Sequence, residues 1–270
     1  MNTTERAVNL IITIAEWSPI AFAIGLLGTQ LVAHEVGFRV GARSRDGKGG
    51  QVENVGVVVA GMLGLLAFVL ALTLSYASAR FTERREGTLT EANAIGTAWL
   101  RANAIGIPAG DEIATLLEEY ARVRADFVRA GRSGDVVART NTDTSALQKE
   151  IWSRVTTIVR ARPDPVSAAL MASVNETFDA STAERFALGM RLPWQIFWLL
   201  IGVMFLSMAA LGYQFGLKGR PVRFLIFLLT AVWTAIVVDI LDLASPRLGY
   251  FRTDATVYDW AIQGSRGNSS

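Results

Sequence analysis

Two carboxylates, Asp239 and Asp242, stand at i and i+3 near the end of a long apolar run, so they share a face of any helix that run forms. An unpaired carboxylate there is costly. The spacing points either to ion pairs with Arg80, Arg84, Arg85 or Arg247, or to a cation or proton site, although calcium takes six or more oxygens and two carboxylates are a weak signal for it. Glu91, Asn93 and Arg101 form a second set, alternating with Ala92, Ala94, Ile95, Ala98 and Leu100. That pattern presses polar groups into tight packing, where they must find hydrogen bonds. Asn175, Glu176 and Asp179 form a third set on the polar side of a later helix. His34 is the single histidine and reads as an interfacial side chain. No serine motif accompanies it, so the sequence shows no Ser-His-Asp arrangement, no catalytic site, no metal-ligand cluster and no cofactor-binding motif.

The element that must position most of these groups is the stretch 55–101. Its first half, residues 55–79, carries no charge and is long enough to cross a hydrocarbon core. Its second half is densely charged but free of proline, which predicts one helix running from the membrane into a soluble domain. Ala60, Gly64, Ala67, Ala71, Ser75 and Ser78 recur at steps of four, three, four, four and three and share one face. Small residues at that spacing let another backbone come close. The competing reading is a pore around which several copies of this helix stand, with Thr73, Tyr76, Arg80 and Glu83 near its mouth.

Hydropathy places three more apolar segments. Residues 8–33 are interrupted by Glu16, Trp17 and Pro19, and so form one span or an interfacial helix followed by a span; His34 and Glu35 end it, and the glycine-rich 37–50 reads as a loop. A span opens after Pro193, a turn occupies 216–223, and 224–243 recrosses. Between the spans, Ile113, Leu116, Leu117, Tyr120, Val123 and Phe127 give one soluble helix a buried stripe. Leu147, Ile151, Val155 and Ile158 do so for a helix from about Asp143 to Ala161, and Val166, Leu170, Val174 and Phe178 for the next. With the lower part of the long helix these predict a four-helix bundle. The expected architecture is therefore an all-α integral membrane protein of about four transmembrane helices, with a soluble helical bundle between the second and third. The expected divisions are a transmembrane pair at 1–79, the bundle at 80–191, a transmembrane hairpin at 192–243 and a tail at 244–270. Four spans put the bundle and both termini on one side.

Composition excludes further classes. The chain has 270 residues, no cysteine and a net charge of +2, so disulfides and thiolate chemistry are absent. Between Arg80 and Arg191, fifteen basic residues face fifteen acidic ones, which argues against a phosphate-binding face for nucleic acid. The lysines and arginines flanking the spans are too evenly split to set an orientation.

The segments EVGFRVGAR (35–43), LGLLAFVLALTLSYASARFTERR (63–85), EANAIGTAWLRA (91–102) and ILDLASPRLGYFR (240–252) resemble the bestrophin-like membrane family, with weaker support from LQKEIW (147–152), NETFD (175–179) and RLPW (191–194). The last long segment departs from the family's Asp-Arg-Pro pattern, since Ala244, Ser245 and Pro246 stand there. The resemblance implies membrane helices carrying a helical soluble domain. Through its more distant likeness to bestrophins it implies a homo-oligomer, a pentamer by analogy, that passes inorganic anions through the bilayer along the second span, with the bundle and termini cytoplasmic in the cell's inner (plasma) membrane. On that footing Leu65, Phe68 and Leu72 are expected to form an apolar constriction, and Arg80 or Arg84 to attract anions at its end. The alternative is a non-conducting scaffold or sensor whose bundle binds a protein partner.

Overall fold

The computed structural model describes residues 19–44, 51–131, 133–190, 193–219, 221–245, 251 and 253–266. Those residues form eight α-helices and no strand: α1 Pro19–Arg43, α2 Gln51–Ala104, α3 Pro108–Arg129, α4 Gly134–Ala161, α5 Pro165–Gly189, α6 Trp194–Lys218, α7 Arg223–Ala244 and α8 Thr256–Arg266. Four of them, α1, α2, α6 and α7, are long and apolar enough to cross a membrane. The chain divides into two compact units, Met1–Ala79 with Arg191–Ser245 and Arg80–Met190 with Pro246–Ser270. Helix α2, 54 residues without a break, contributes to both. The segment 8–18, with its question of one span or two, lies outside the described residues.

In the second unit each soluble helix has a local reason to begin where it does. Gly106, at φ 69, makes the left-handed turn before α3, and Pro108 occupies the first turn, where its missing N–H is no loss. Helix α4 starts at Gly134 rather than near Asp143, because Ser133 caps it and accepts from the Val136 amide. Asp164 and Ser167 cap α5 reciprocally: Asp164 Oδ1 accepts from the Ser167 amide at 2.8 Å, and Ser167 Oγ from the Asp164 amide at 3.2 Å. Their apolar faces meet in one core that includes Ile95, Ala98, Leu117, Ile151, Val155 and Leu170. Tyr258 of α8 belongs to that core as well. Residues 244–270 were expected to form a C-terminal tail; of these, Thr256–Arg266 form α8, which joins the bundle core through Tyr258.

In the first unit the packing of α1 on α6 needs glycine. The two helices run in the same direction, with Gly37 against Ala209 and Gly41 against Tyr213. A Cβ on Gly37 would lie 2.0 Å from the Ala209 carbonyl oxygen, and one on Gly212 would lie 2.0 Å from that of His34. Gly41 and Gly216 complete the reciprocal pattern. Two glycine pairs, each spaced by four, thus bring the backbones into contact, as small-xxx-small packing does where lipid supplies no hydrophobic drive. This corrects the reading of 37–50 as a loop, since the helix continues through Gly37 and Gly41 to Arg43. Gly216 likewise lies inside α6, which ends at Lys218 with Gly219 left-handed at φ 66. His34 is buried beside Phe215 rather than set at an interface. Gln30 Nε2 donates to Thr234 Oγ1 at 2.8 Å and joins α1 to α7.

Gly212→Val should force the α1 and α6 backbones apart and lower stability by about 3 kcal/mol or more. Gly202→Ala on the same helix, where a Cβ meets nothing within 4 Å, should leave stability unchanged or raise it by up to about 1 kcal/mol. Thermal unfolding of the detergent-purified variants decides, and equal midpoints for the two would refute the contact.

Candidate functional site

The interior of the bundle is built on charge. Glu91 of α2 and Arg124 of α3 are both wholly buried. Arg124 Nε donates to Glu91 Oε1 at 2.5 Å and Nη2 donates to Oε2 at 3.0 Å, a two-pronged pair. Tyr258 of α8 donates its hydroxyl to Glu91 Oε2 at 2.6 Å, and the guanidinium carbon of Arg124 sits 4.5 Å over the Phe127 ring. Burial pulls the Arg124 pKa down, but the charge of Glu91 and its hydrogen bonds outweigh this and the net shift is upward. Burial, then the neighbouring Glu91, push Tyr258 well above its ordinary value. The same two causes, in that order, push Tyr120 up to about 12, and Tyr120 accepts a hydrogen bond from Gln148 of α4 at 3.0 Å.

A second carboxyl shares this interior. Glu184 of α5 is wholly buried. Its Oε1 lies 2.6 Å from Thr88 Oγ1 on α2, while its Oε2 has no hydrogen-bond partner. Burial is the largest cause that raises its pKa to about 7, with the nearby Glu91 adding to it and Thr88, Arg124 and Arg84 opposing. Gly87 makes room for it, because a Cβ there would lie 2.4 Å from Oε2. The site can hold a fixed ion pair and, at Glu184, can gain or lose a proton.

Sequence reasoning found one member of this group. Of the polar set, only Glu91 enters the interior. Asn93 is exposed, and Arg101 is exposed and donates to the Ala169 carbonyl at 2.9 Å. Asn175 and Asp179 bond each other at 2.9 Å on the surface beside exposed Glu176. Asp239 is exposed and Asp242 half-buried near the end of α7, and Arg247 lies outside the described residues. Of the six of these residues that lie on α2 and α5, the phase of the two helices turns all but Glu91 outward. The missed residues had a signal. Arg124 continues the buried spacing Ile113, Leu117, Tyr120, Phe127, and Glu184 continues the face Leu170, Val174, Thr177, Ser181, Leu188. Of the expected stripe, Leu170 and Val174 are buried and Phe178 packs half-buried against the same core, while Val166 is exposed.

The other candidates lie along α2. In the first unit Val59, Leu66, Val69 and Leu70 pack inward, while Leu65, Phe68 and Leu72 are 51%, 60% and 55% exposed. Ala60, Gly64, Ala67, Ala71, Ser75 and Ser78 are all exposed too. Tyr76 is half-buried, and Arg80, also half-buried, pairs with Glu83 at 2.7 Å. Two residues leave the pore-lining set. Thr73 is buried and donates to the Val69 carbonyl at 2.7 Å, and Arg84 is buried inside the bundle.

An all-helical chain with four bilayer-length helices and a helical bundle built from the residues between the second and third is a membrane protein. Residues 24–257 match the bestrophin-like domain, and the chain belongs to the bestrophin-like family. No curated protein and no solved structure matches it.

Glu91→Gln leaves Arg124 buried opposite a neutral group and should destabilise the protein by about 3–5 kcal/mol. Tyr258→Phe should cost about 1–3 kcal/mol, and Asn93→Ala should stay within about 0.5 kcal/mol. Denaturant unfolding in detergent measures all three. A Glu91→Gln variant as stable as Asn93→Ala would rule out the pair as the anchor of the bundle.

Proposed function

We propose that the protein is an oligomeric ion channel whose second span lines the pore. The observation that carries this reading is the face of α2 that the described residues leave uncovered. Intrachain packing in the first unit uses the larger residues Val59, Leu66, Val69 and Leu70, while the six small residues stay exposed. A row of small residues left unused within the chain suits the close approach of a neighbouring copy. Leu65, Phe68 and Leu72 sit beside that row, and in a ring of copies they would form a constriction that gates by dewetting. Family membership supports inorganic anions as the permeant class, a homo-oligomer with a pentamer as the working number, and a bundle on the cytoplasmic side of the inner membrane.

The test is reconstitution into liposomes holding a chloride-sensitive dye, beside a mass measurement of the oligomer. Chloride flux from a defined oligomer is expected, with Phe68→Ala raising flux several-fold and Ala67→Leu breaking the oligomer. A protein that stays monomeric in lipid and passes no ion would instead favour the scaffold reading.

A further inference from the structure

We propose that Glu184 is the proton-binding group of the bundle: in its neutral form it keeps α5 seated on α2 at the Thr88 contact, and on losing that proton it loosens that junction. The argument starts from Thr88. Its Oγ1 lies 3.0 Å from the Arg84 carbonyl oxygen, one turn back on α2, and 2.6 Å from Glu184 Oε1. A threonine hydroxyl has one proton, and a carbonyl oxygen can only accept. That one proton is shared between two acceptors, and among the described residues no other hydrogen bond reaches Glu184. One shared donor is too little to hold a carboxylate ionised out of water.

The surroundings agree. Arg84 and Glu91 of α2, Arg124 of α3 and Tyr258 of α8 face Glu184. Glu91 already takes two guanidinium N–H groups and the Tyr258 hydroxyl, so it is the ionised carboxylate of the two. A second negative charge beside it, wholly out of water, is disfavoured both by burial and by repulsion. Two carboxyls in one interior with opposite protonation states is the arrangement that neighbouring environments create when they push two acids apart. Oε2, without a partner and against Gly87, adds no donor that would hold the ionised form.

The consequence is a contact that depends on pH in the neutral range. The folded pKa of Glu184, about 7, lies above its ordinary 4.5, so the stabilisation from the neutral form is full below pH 4.5 and is lost as pH rises through about 7. Once ionised, Glu184 is a second buried negative charge beside Glu91 with one shared donor to hold it. The junction at Gly87 and Thr88 then loosens. This device belongs to the bundle alone and stands apart from whether the chain conducts.

The experiment uses the full chain in nanodiscs. Infrared difference spectra between about pH 6 and about pH 8 should show the carbonyl stretch of a protonated carboxylic acid that disappears at the higher pH and is missing from Glu184→Gln. Hydrogen exchange of the amides at 87–91, corrected for its intrinsic pH dependence, should be roughly tenfold faster at the higher pH in the wild type and unchanged in Glu184→Gln. A wild type with no such band, or a band that persists in Glu184→Gln, overturns the assignment. Should Glu184→Gln fail to fold, Thr88→Val keeps the carboxyl and removes its one donor. The band's titration midpoint should then rise by about one pH unit, and an unmoved or lowered midpoint overturns the assignment.

Discussion

A carboxylate and a guanidinium wholly removed from water cannot be left half-matched, and the bundle is arranged around that demand. Desolvating two ions costs several kcal/mol each, and their attraction offsets this only when the geometry is good and the remaining polar atoms are served. Glu91 meets the condition with two parallel hydrogen bonds from Arg124 and a third from Tyr258, while Arg124 Nη1 has no hydrogen-bond partner and its guanidinium rests over the Phe127 ring. The pair therefore sets phase as much as strength. With Glu91 turned inward, the helical period turns Asn93, Thr97 and Leu100 outward, and α8 is held to the bundle because its phenol completes the set.

The membrane unit answers the opposite problem. Lipid competes for apolar surface as well as any side chain does, so helices there associate through close van der Waals contact and a few interhelical hydrogen bonds. The α1–α6 pair takes the first route, with glycine on both sides, and the Gln30–Thr234 bond takes the second. The small residues of α2 take neither. All six are exposed, and a Cβ on Gly64 would meet nothing within 4 Å. One chain thus holds two small-residue faces, one consumed in its own fold and one left open.

The same contrast separates the two carboxyls of the bundle. Glu91 has donors on three sides and keeps its charge, whereas Glu184, equally buried, has one hydroxyl neighbour and an oxygen that nothing serves. Equal burial with unequal donors is enough to give two glutamates different states in one interior.

How much of this was legible follows from what is local. The uncharged stretch 55–79, its charged continuation and the proline-bounded segments are local properties, so the spans, the long α2 and the helical class could be read from the chain alone. Glu91 could be suspected because it interrupts an alanine-rich run. What the tertiary structure decided was partnership. Glycine reads locally as a helix breaker, and only the backbone of α6 shows that Gly37 and Gly41 are packing positions inside a helix. Arg124, Glu184 and Tyr258 lie 33, 93 and 167 residues beyond Glu91 in the sequence, and although Arg124 and Glu184 fall on the buried spacing of their own helices, nothing local says which partners they meet. A hydrogen bond or ion pair across that separation exists only once the helices have fixed phases, because a rotation of one residue, about 100°, moves a side chain from core to surface.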